Sequence, residues 1–274
     1  SGDKANVTII FKEYGVRLNF KPTVVGEDYI RLELEPEVST IDYANGVKLD
    51  PNIFTIGFAR RASTYKRADL LFHDPERLKH IARNVGPIQI VYGGKAHPRD
   101  EGGKNLIRSV FGGARAVGDA IRVVYVQNYD WFWGLHITSG VDVWLNNPLR
   151  PQEASGTSGM KAALNGVPSL SVLDGWWVEG WVEGVTGWAI GNQDVTSDAT
   201  QEVTDLYDKL EREIVPMFYQ RPQRYTEIMR LAIALNASFF NTQRMVMQYV
   251  ENAYLRNDPV AYNAPATQVA VPQK

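Results

Sequence analysis

The residues best suited to chemistry form one run of small and hydroxyl side chains that ends in a lysine: Glu153-Ala154-Ser155-Gly156-Thr157-Ser158-Gly159-Met160-Lys161. This run predicts a loop that leads into a helix near Ser158, where free backbone N–H groups and hydroxyls can bind phosphate. Lys161 would lie on the first turn, where the helix dipole and nearby cations favour the neutral amine that imine chemistry requires. Glu153 is an acceptor suited to sugar hydroxyls. An N-capped helix with an exposed lysine explains the same residues, and both interpretations stay open.

A second candidate is the basic segment at residues 59–67, which follows an apolar run and contains four cations: Arg60, Arg61, Lys66 and Arg67. Positive charge is unfavourable at the start of a helix because of the helix dipole, so we expect an anionic partner there. A solvated basic helix start is the alternative. Two weaker candidates, each equally typical of an ordinary turn, are YGGKAHP at 92–98 and QNYD at 127–130.

The elements that must position these segments follow from five short apolar runs, at residues 53–58, 88–92, 121–126, 141–145 and 168–173. Amphipathic stretches separate them. Apolar strands that alternate with helices predict an α/β fold with a Rossmann-like parallel sheet and right-handed crossovers. Ligands of such sheets bind beyond the carboxyl ends of the strands, where all four candidate segments would lie. C-terminal helices are predicted by a stripe of Val203, Leu206, Leu210 and Ile214, after Pro222, and around Met245.

The N-terminal segment has a different pattern. Apolar and polar residues alternate at 16–20 and 30–34 on either side of a turn at Gly26-Glu27-Asp28, which predicts an antiparallel hairpin. We therefore expect a β-hairpin segment at 1–47, an α/β domain at 51–261 and a disordered Ala/Pro/Gln-rich tail at 262–274. Four clustered tryptophans favour an interface to a further domain, with a sugar-stacking surface or core packing as alternatives: Trp176, Trp177, Trp181 and Trp188.

Composition excludes several kinds of chemistry. The 274 residues contain no cysteine, which excludes disulfides, thiolate metal sites and cysteine nucleophiles and favours a cytoplasmic location. None of the four histidines has metal-ligand spacing, so we predict no metal. A net charge of −2 and the lack of a long apolar run predict neither a nucleic-acid partner nor a membrane.

Taken together, the segments resemble the α-glucan (glycogen and maltodextrin) phosphorylases of the short bacterial and archaeal type. The matching stretches, from about residue 51 to 261, are FTIGFARRASTYKRADLLF, IQIVYGGKAHP, VQNYD, VDVWLNNP, EASGTSGMKAALNG and SLSVLDGWW. The resemblance implies the C-terminal half of a GT-B glycosyltransferase. It also implies pyridoxal 5′-phosphate as cofactor, and α-1,4-glucan and inorganic phosphate as substrates that give glucose 1-phosphate.

The resemblance assigns a role to each candidate residue. Lys161 would anchor the cofactor through a Schiff base. The cofactor phosphate would be held by Thr157, Ser158 and Gly159 with Arg60 and Lys66. The residues implied for catalysis are Arg61 on the substrate phosphate, Lys66 between the two anions, and Tyr129 in the cofactor pocket. The glucosyl unit would contact Glu153, Ser155 and Gly156. In this chemistry the cofactor phosphate, rather than its ring, assists inorganic phosphate in acid–base work.

The sequence departs from the family pattern in two ways, and these departures leave other functions open. Asp130 stands where the long-type enzymes carry an arginine, and the N-terminal GT-B domain has no counterpart, so we expect the chain alone to be inactive. Residues 1–47 instead resemble a fragment of the core domain of bacterial secretins, which suggests a fusion. The alternatives are a non-catalytic, self-associating chimeric module that forms a homo-oligomer, and a GT-B glycosyltransferase domain that uses a nucleotide sugar.

Overall fold

The molecule is organised around a parallel sheet. The structure, a computed structural model, describes residues 48–192 and 199–255 and the backbone of three strands before them, β1 (Val7–Thr8), β2 (Gly15–Val24) and β3 (Ile30–Ser39). The parallel sheet contains β1 together with β4 (Phe54–Ala59), β5 (Ile88–Gly93), β6 (Arg122–Val126), β7 (Val143–Asn146), β8 (Ser169–Val172) and β9 (Gly187–Ile190). Within the described residues the strand order is β1-β6-β5-β4-β7-β8-β9. The α/β class with a parallel sheet is confirmed.

The sheet reverses its direction of growth at β4. This strand pairs with β5 on one side, in the register Phe54↔Ile88, and with β7 on the other, in the register Ile56↔Val143. Strands β5 and β6 therefore extend one way and β7 to β9 the other. Such a switch point opens a crevice at the carboxyl ends of the strands. The basic segment and the loop before Lys161 follow the two strands that flank this crevice.

Helices cover both faces of the sheet. Their bounds are α1 (Pro75–Asn84), α2 (Glu101–Val117), α3 (Trp131–Gly140), α4 (Thr157–Leu164), α5 (Trp177–Gly180), α6 (Ala199–Lys209), α7 (Val215–Gln220) and α8 (Pro222–Leu231). Asp74 caps α1 by accepting the Arg77 N–H, and Asp100 caps α2 by accepting the Gly103 N–H. The helix predicted after Pro222 is confirmed, with that proline at its first position.

Alternate residues of the strands divide the core into two layers. One layer contains Phe58 and Tyr92, and the helical stripe predicted from the sequence packs into it: Val203, Leu206, Leu210 and Ile214. The stripe crosses from α6 into a π-helical turn at Leu210–Ile214. The smaller layer, on the opposite face, contains Ala59, Val91 and Trp144. Both faces of the central strands are therefore buried, as their continuous apolar pattern predicts.

Two expectations about the elements were wrong, and one strand was missed. The basic segment does not enter an α-helix but a 3₁₀ turn at Thr64–Lys66, and the first helix begins only at Pro75. The pattern also missed β9. It holds Trp188, which is fully buried and stacks on the Tyr225 ring with centroids 6.1 Å apart. Trp176 and Trp177 are likewise buried, so the interface interpretation is wrong for these three tryptophans. Their large rings fill the core beside β8 and β9.

The N-terminal strands β2 and β3 form a two-stranded sheet of their own. β2 and β3 pair antiparallel from Gly15↔Ser39 to Val24↔Ile30, so the hairpin prediction is confirmed in its backbone, while the turn at 26–28 lies outside the described residues. The chain divides into two compact units, Ser1–Ser238 and Phe239–Lys274. In the second, α9 (Thr242–Tyr249) begins after Asn241, whose side chain accepts the Arg244 N–H. The predicted tail at 262–274 lies outside the described residues, and the division into 1–47, 51–261 and 262–274 stays a prediction.

None of the described helices is both long and apolar enough to cross a bilayer.

Candidate functional site

A buried cluster of three charges forms the centre of the site. Glu153 lies between two cations from the basic segment: its Oε2 is 3.0 Å from Arg60 Nη2 and also accepts a hydrogen bond from Lys66 Nζ. All three residues are at least nine-tenths buried. Burial lowers the pKa of the Arg60 guanidinium, and the Glu153 carboxylate opposes that change. The cluster carries two positive charges and one negative charge, so it retains a net positive charge inside the protein.

Two buried polar atoms of the site are left unpaired. Arg60 Nη1 donates to no partner among the described residues, and neither does Ser158 Oγ at the start of α4. A buried donor without a partner is destabilising, and such atoms commonly mark a position that a ligand fills. Both atoms belong to residues that the family resemblance assigns to the cofactor phosphate. A phosphate has enough acceptor oxygens to satisfy both donors.

The glycine pair Gly93-Gly94 at the end of β5 brings the basic segment and Tyr129 together. A Cβ at Gly94 would overlap the Arg60 carbonyl oxygen, and one at Gly93 would lie 2.8 Å from Cδ2 of Tyr129. The Arg60 N–H donates to the Gly93 carbonyl at 2.9 Å. Burial raises the pKa of the Tyr129 hydroxyl, and the positive charge of Arg60 partly offsets this rise. The glycine pair therefore permits a close approach, where the sequence had also allowed an ordinary turn.

The loop before α4 packs against the residues that follow β8. The Glu153 N–H donates to Asp174 Oδ2 at 2.9 Å, and the Trp176 N–H donates to the Ser155 carbonyl at 2.8 Å. Gly156 ends the loop with φ 86° and serves as the N-cap of α4 without a side-chain cap. Gly159 could not carry a side chain, because a Cβ there would lie 2.7 Å from Trp176 Nε1.

Lys161 and the hydroxyls of α4 lie on the helix that this loop introduces. The helix begins at Thr157, so Lys161 is on its second turn rather than the first turn predicted from the sequence. The Lys161 side chain is exposed, as is that of Thr157, and the amine is free of the core. The structure therefore leaves the Lys161 amine accessible to a carbonyl compound. The assignment of Lys161 to a cofactor stays a prediction.

The four cations of the basic segment have three different environments. Arg60 and Lys66 face the site, while the Arg61 side chain is exposed. Arg67 points the other way: its Nη1 lies 2.5 Å from Glu202 Oε2, and its Nε and Nη2 donate to the carbonyls of Asn147 and Pro148. The expectation that Arg67 adds charge to an anion site is wrong, because α6 supplies a carboxylate that holds it. Asp130 likewise has a structural role, since it caps α3 by accepting the Trp133 N–H.

Sequence reasoning missed Asp174 as part of the site, and it named Trp176 only in a tryptophan cluster for which a sugar-stacking surface was one alternative. The rule that ligands bind beyond the carboxyl ends of the strands was applied to the first four strands but not to β8. Asp174 and Gly175 follow that strand by two and three residues, and an Asp-Gly pair is typical of a tight turn. The same rule, extended by one strand, would have found them.

A family model described as carbohydrate phosphorylase matches residues 34–187 and so begins within β3. The chain is 47% identical over 212 residues to a maltodextrin phosphorylase of Thermococcus litoralis, with 76% of this chain and 25% of the relative covered. It is 41% identical over 235 residues to a glycogen phosphorylase of Aquifex aeolicus, with 83% of this chain and 33% of the relative covered. The chain thus spans about a quarter to a third of the length of these relatives.

Among solved structures the chain is similar to HepE of Anabaena, whose crystal structure was determined in complex with UDP and glucose. The TM-score is 0.53 at 17% identity, and the match covers 73% of this chain and 48% of that one. At this identity the likeness shows the fold alone, and it confirms the predicted Rossmann-like half of a GT-B architecture. Since the family model matches more than half of the chain, including the basic segment, the glycine pair and the loop before Lys161, the protein belongs to the carbohydrate phosphorylase family.

Proposed function

We propose that this chain is the pyridoxal 5′-phosphate-binding half of an α-glucan phosphorylase, which converts α-1,4-glucan and inorganic phosphate to glucose 1-phosphate. The observation that carries the proposal is the buried Arg60–Glu153–Lys66 cluster, with its excess positive charge and its unpaired Arg60 Nη1. Buried charge of one sign is unfavourable unless a counter-charge is bound. A bound phosphate would balance the cluster.

The residues present fit the cofactor. Thr157, Ser158 and Gly159 open α4, where backbone N–H groups are free to bind a phosphate, and the Ser158 hydroxyl is buried without a partner among the described residues. Lys161 on the same helix is exposed and supplies the amine. When bound, pyridoxal phosphate supplies a second phosphate group that acts with the substrate phosphate in acid–base chemistry.

The remaining residues would act on the substrates. Arg61 is exposed beside the cluster and would bind inorganic phosphate, while Lys66 stabilises negative charge on either anion. Tyr129 keeps its proton, because burial raises its pKa, so it can donate a hydrogen bond. Glu153, Ser155 and Gly156 would contact a glucosyl unit. Such a unit develops positive charge as its glycosidic bond breaks, and the buried carboxylate of Glu153 would stabilise that charge.

The test is uptake of pyridoxal phosphate by the purified chain. We expect the absorbance of bound cofactor and its permanent attachment to Lys161 after borohydride reduction, located by peptide mass. Lys161→Ala should abolish both, whereas Lys104→Ala, which removes a lysine on α2, should change neither. A wild-type chain that takes up no added pyridoxal phosphate contradicts the proposal. Uptake that Lys161→Ala leaves unchanged contradicts the assignment of that lysine.

The same experiment separates this proposal from a nucleotide-sugar glycosyltransferase. That class shares the sheet and a glutamate-containing loop but needs no amine at Lys161. Protection of the chain from thermal unfolding by UDP-glucose, without any by pyridoxal phosphate, would favour the alternative. We expect the reverse.

A partner is proposed for the exposed aromatic end of α3. Trp131 is 81% exposed, and Phe132 and Leu135 beside it are also exposed, next to Tyr129 of the site. Exposed apolar groups of this kind mark interaction surfaces. We propose that an N-terminal GT-B domain or a second copy covers them, and that the chain alone has no phosphorolytic activity. Light scattering decides between the two partners, since a monodisperse monomer contradicts the self-associating module.

We also propose that the chain belongs to the short bacterial and archaeal type, that residues 1–47 have a secretin-like origin, and that the protein is cytoplasmic. Phosphorolysis of maltodextrin by this chain alone would contradict the expected dependence on a second domain.

A further inference from the structure

We propose that Asp174 is a positioning residue for the anion site, acting through Glu153. The inference rests on the proposed function, because it concerns the same phosphate-binding cluster. Asp174 does not touch the two cations. It follows β8, is 6% exposed, and binds the backbone of the loop that carries Glu153.

The carboxylate of Asp174 accepts two backbone N–H groups, one from the Glu153 loop and one from its own neighbour Gly175. Its Oδ2 accepts the Glu153 N–H at 2.9 Å, and its Oδ1 accepts the Gly175 N–H at 2.9 Å. Each oxygen therefore has its own donor, and both must be acceptors. An amide of the same shape has only one acceptor oxygen, so its NH₂ group would face one of the two N–H donors. Asparagine at this position cannot keep both contacts.

A second set of contacts holds the same loop at Ser155. Gly175 adopts φ 57°, and a Cβ there would lie 2.5 Å from the Ser155 carbonyl oxygen, which in turn accepts the Trp176 N–H at 2.8 Å. The residues after β8 thus bind the loop at Glu153 and again at Ser155. Because its backbone is held at both points, the Glu153 side chain is directed between Arg60 and Lys66.

If Asp174 positions the loop, its replacement should change the affinity for an anion in the opposite direction from loss of its charge alone. Removing the negative charge of Asp174 should by itself strengthen the binding of an anion nearby. Releasing the loop should weaken it, because Glu153 would no longer hold the two cations at a fixed separation. We expect the second effect to be the larger one, since the same loop leads into α4, whose first N–H groups and Ser158 hydroxyl would bind the phosphate.

The test compares two ligands, pyridoxal phosphate and pyridoxal, which differ only in the phosphate group. Their affinities for the full chain are measured by absorbance titration in wild type, in Asp174→Asn and in Asp142→Asn. Asp142 is the matched control, because its Oδ2 likewise accepts a backbone N–H, that of Thr55 at 2.7 Å, but at the opposite end of the sheet. We expect Asp174→Asn to weaken pyridoxal phosphate about tenfold with pyridoxal almost unchanged, and Asp142→Asn to leave the ratio as in wild type.

A second variant keeps the inference testable if Asp174→Asn folds poorly. Gly175→Ala retains every charge and displaces the loop through the Ser155 carbonyl, so it should lower the same ratio. An unchanged or increased preference for pyridoxal phosphate in a folded Asp174→Asn or Gly175→Ala variant overturns the positioning role. Failure of wild type to bind pyridoxal phosphate overturns the proposed function instead, so the two outcomes are distinct.

Discussion

One short segment places its cations in two opposite settings. Arg67 forms an ion pair through Nη1 with Glu202, and its Nε and Nη2 donate to the carbonyls of Asn147 and Pro148. Arg60, seven residues earlier in the chain, has one nitrogen on Glu153 and another without a partner among the described residues. Both arginines are largely buried, so exposure does not separate them.

The difference distinguishes a structural ion pair from a ligand site. At Arg67 one cation pairs with one carboxylate, so the charges balance and the pair does not require an added anion. At Arg60 two cations share a single carboxylate and a donor is left over, so the cluster gains stability from an added anion. The sequence alone, which shows four similar cations, does not make this distinction.

The largest expected effect comes from Glu153→Gln, which leaves two buried cations without a counter-charge. In a buffer free of multivalent anions we expect the free energy of unfolding to fall by about 3 kcal/mol. Inorganic phosphate should restore most of it, because the anion replaces the lost carboxylate. Denaturant unfolding with and without phosphate measures both values. A loss that phosphate does not restore would remove the claim that the cluster accepts an anion.

A somewhat smaller effect is expected from Glu202→Gln, the matching change at the structural pair. Arg67 keeps its two carbonyl acceptors, so we expect a loss of about 2 kcal/mol. Phosphate should not reverse it, since Arg67 faces α6 and not the crevice. The same denaturant series provides the measurement. If phosphate restores the stability of this variant to the same extent as that of Glu153→Gln, the environments of Arg67 and Arg60 do not differ as a structural ion pair and a ligand site.

Gly94→Ala tests the contact that brings the basic segment to the site. A Cβ at Gly94 overlaps the Arg60 carbonyl oxygen, so the backbone must shift, and we expect about 1–2 kcal/mol of destabilisation and weaker uptake of pyridoxal phosphate. Gly112→Ala in α2 is the control, because open space surrounds that position and alanine favours a helix. Equal melting temperatures for the two variants would contradict the close approach.

The smallest effect on stability is expected from Arg61→Ala. The side chain is exposed, so the free energy of unfolding should change by less than about 0.5 kcal/mol. Pyridoxal phosphate should still bind, while the affinity of the cofactor-loaded chain for inorganic phosphate should fall. Isothermal titration with phosphate measures the second quantity. Unchanged phosphate affinity would remove Arg61 from the substrate site.

Much of the fold was predictable because its signals are local. Five of the six strands from β4 to β9 appear as apolar runs, and the stripe from Val203 to Ile214 marks the helical segment that packs on them. β9 was missed because its short run, Gly187-Trp188-Ala189-Ile190, begins with glycine and lies in a tryptophan-rich stretch. The sequence favoured an interface for those tryptophans, because a local pattern does not show that the sheet covers them.

The site was predictable in its segments but not in its contacts. The basic segment, the glycine pair and the loop before Lys161 do lie at one edge of the sheet, as their positions after strands required. The expected anion at the basic segment proved to include a carboxylate of the chain itself, Glu153, which is 87 residues from Lys66. No local pattern predicts a pairing at that separation.

The sequence by itself determined which segments carry the chemistry, because glycine, hydroxyl and basic residues at strand ends have conformational and electrostatic properties that do not depend on distant neighbours. Only the tertiary structure decided which cation pairs with a structural carboxylate and which lies in the candidate site. It also decided that Asp174 and Trp176 support the loop of Glu153. The reason is physical: whether a buried charge is satisfied depends on the partners that surround it, and the fold brings those partners from remote parts of the chain.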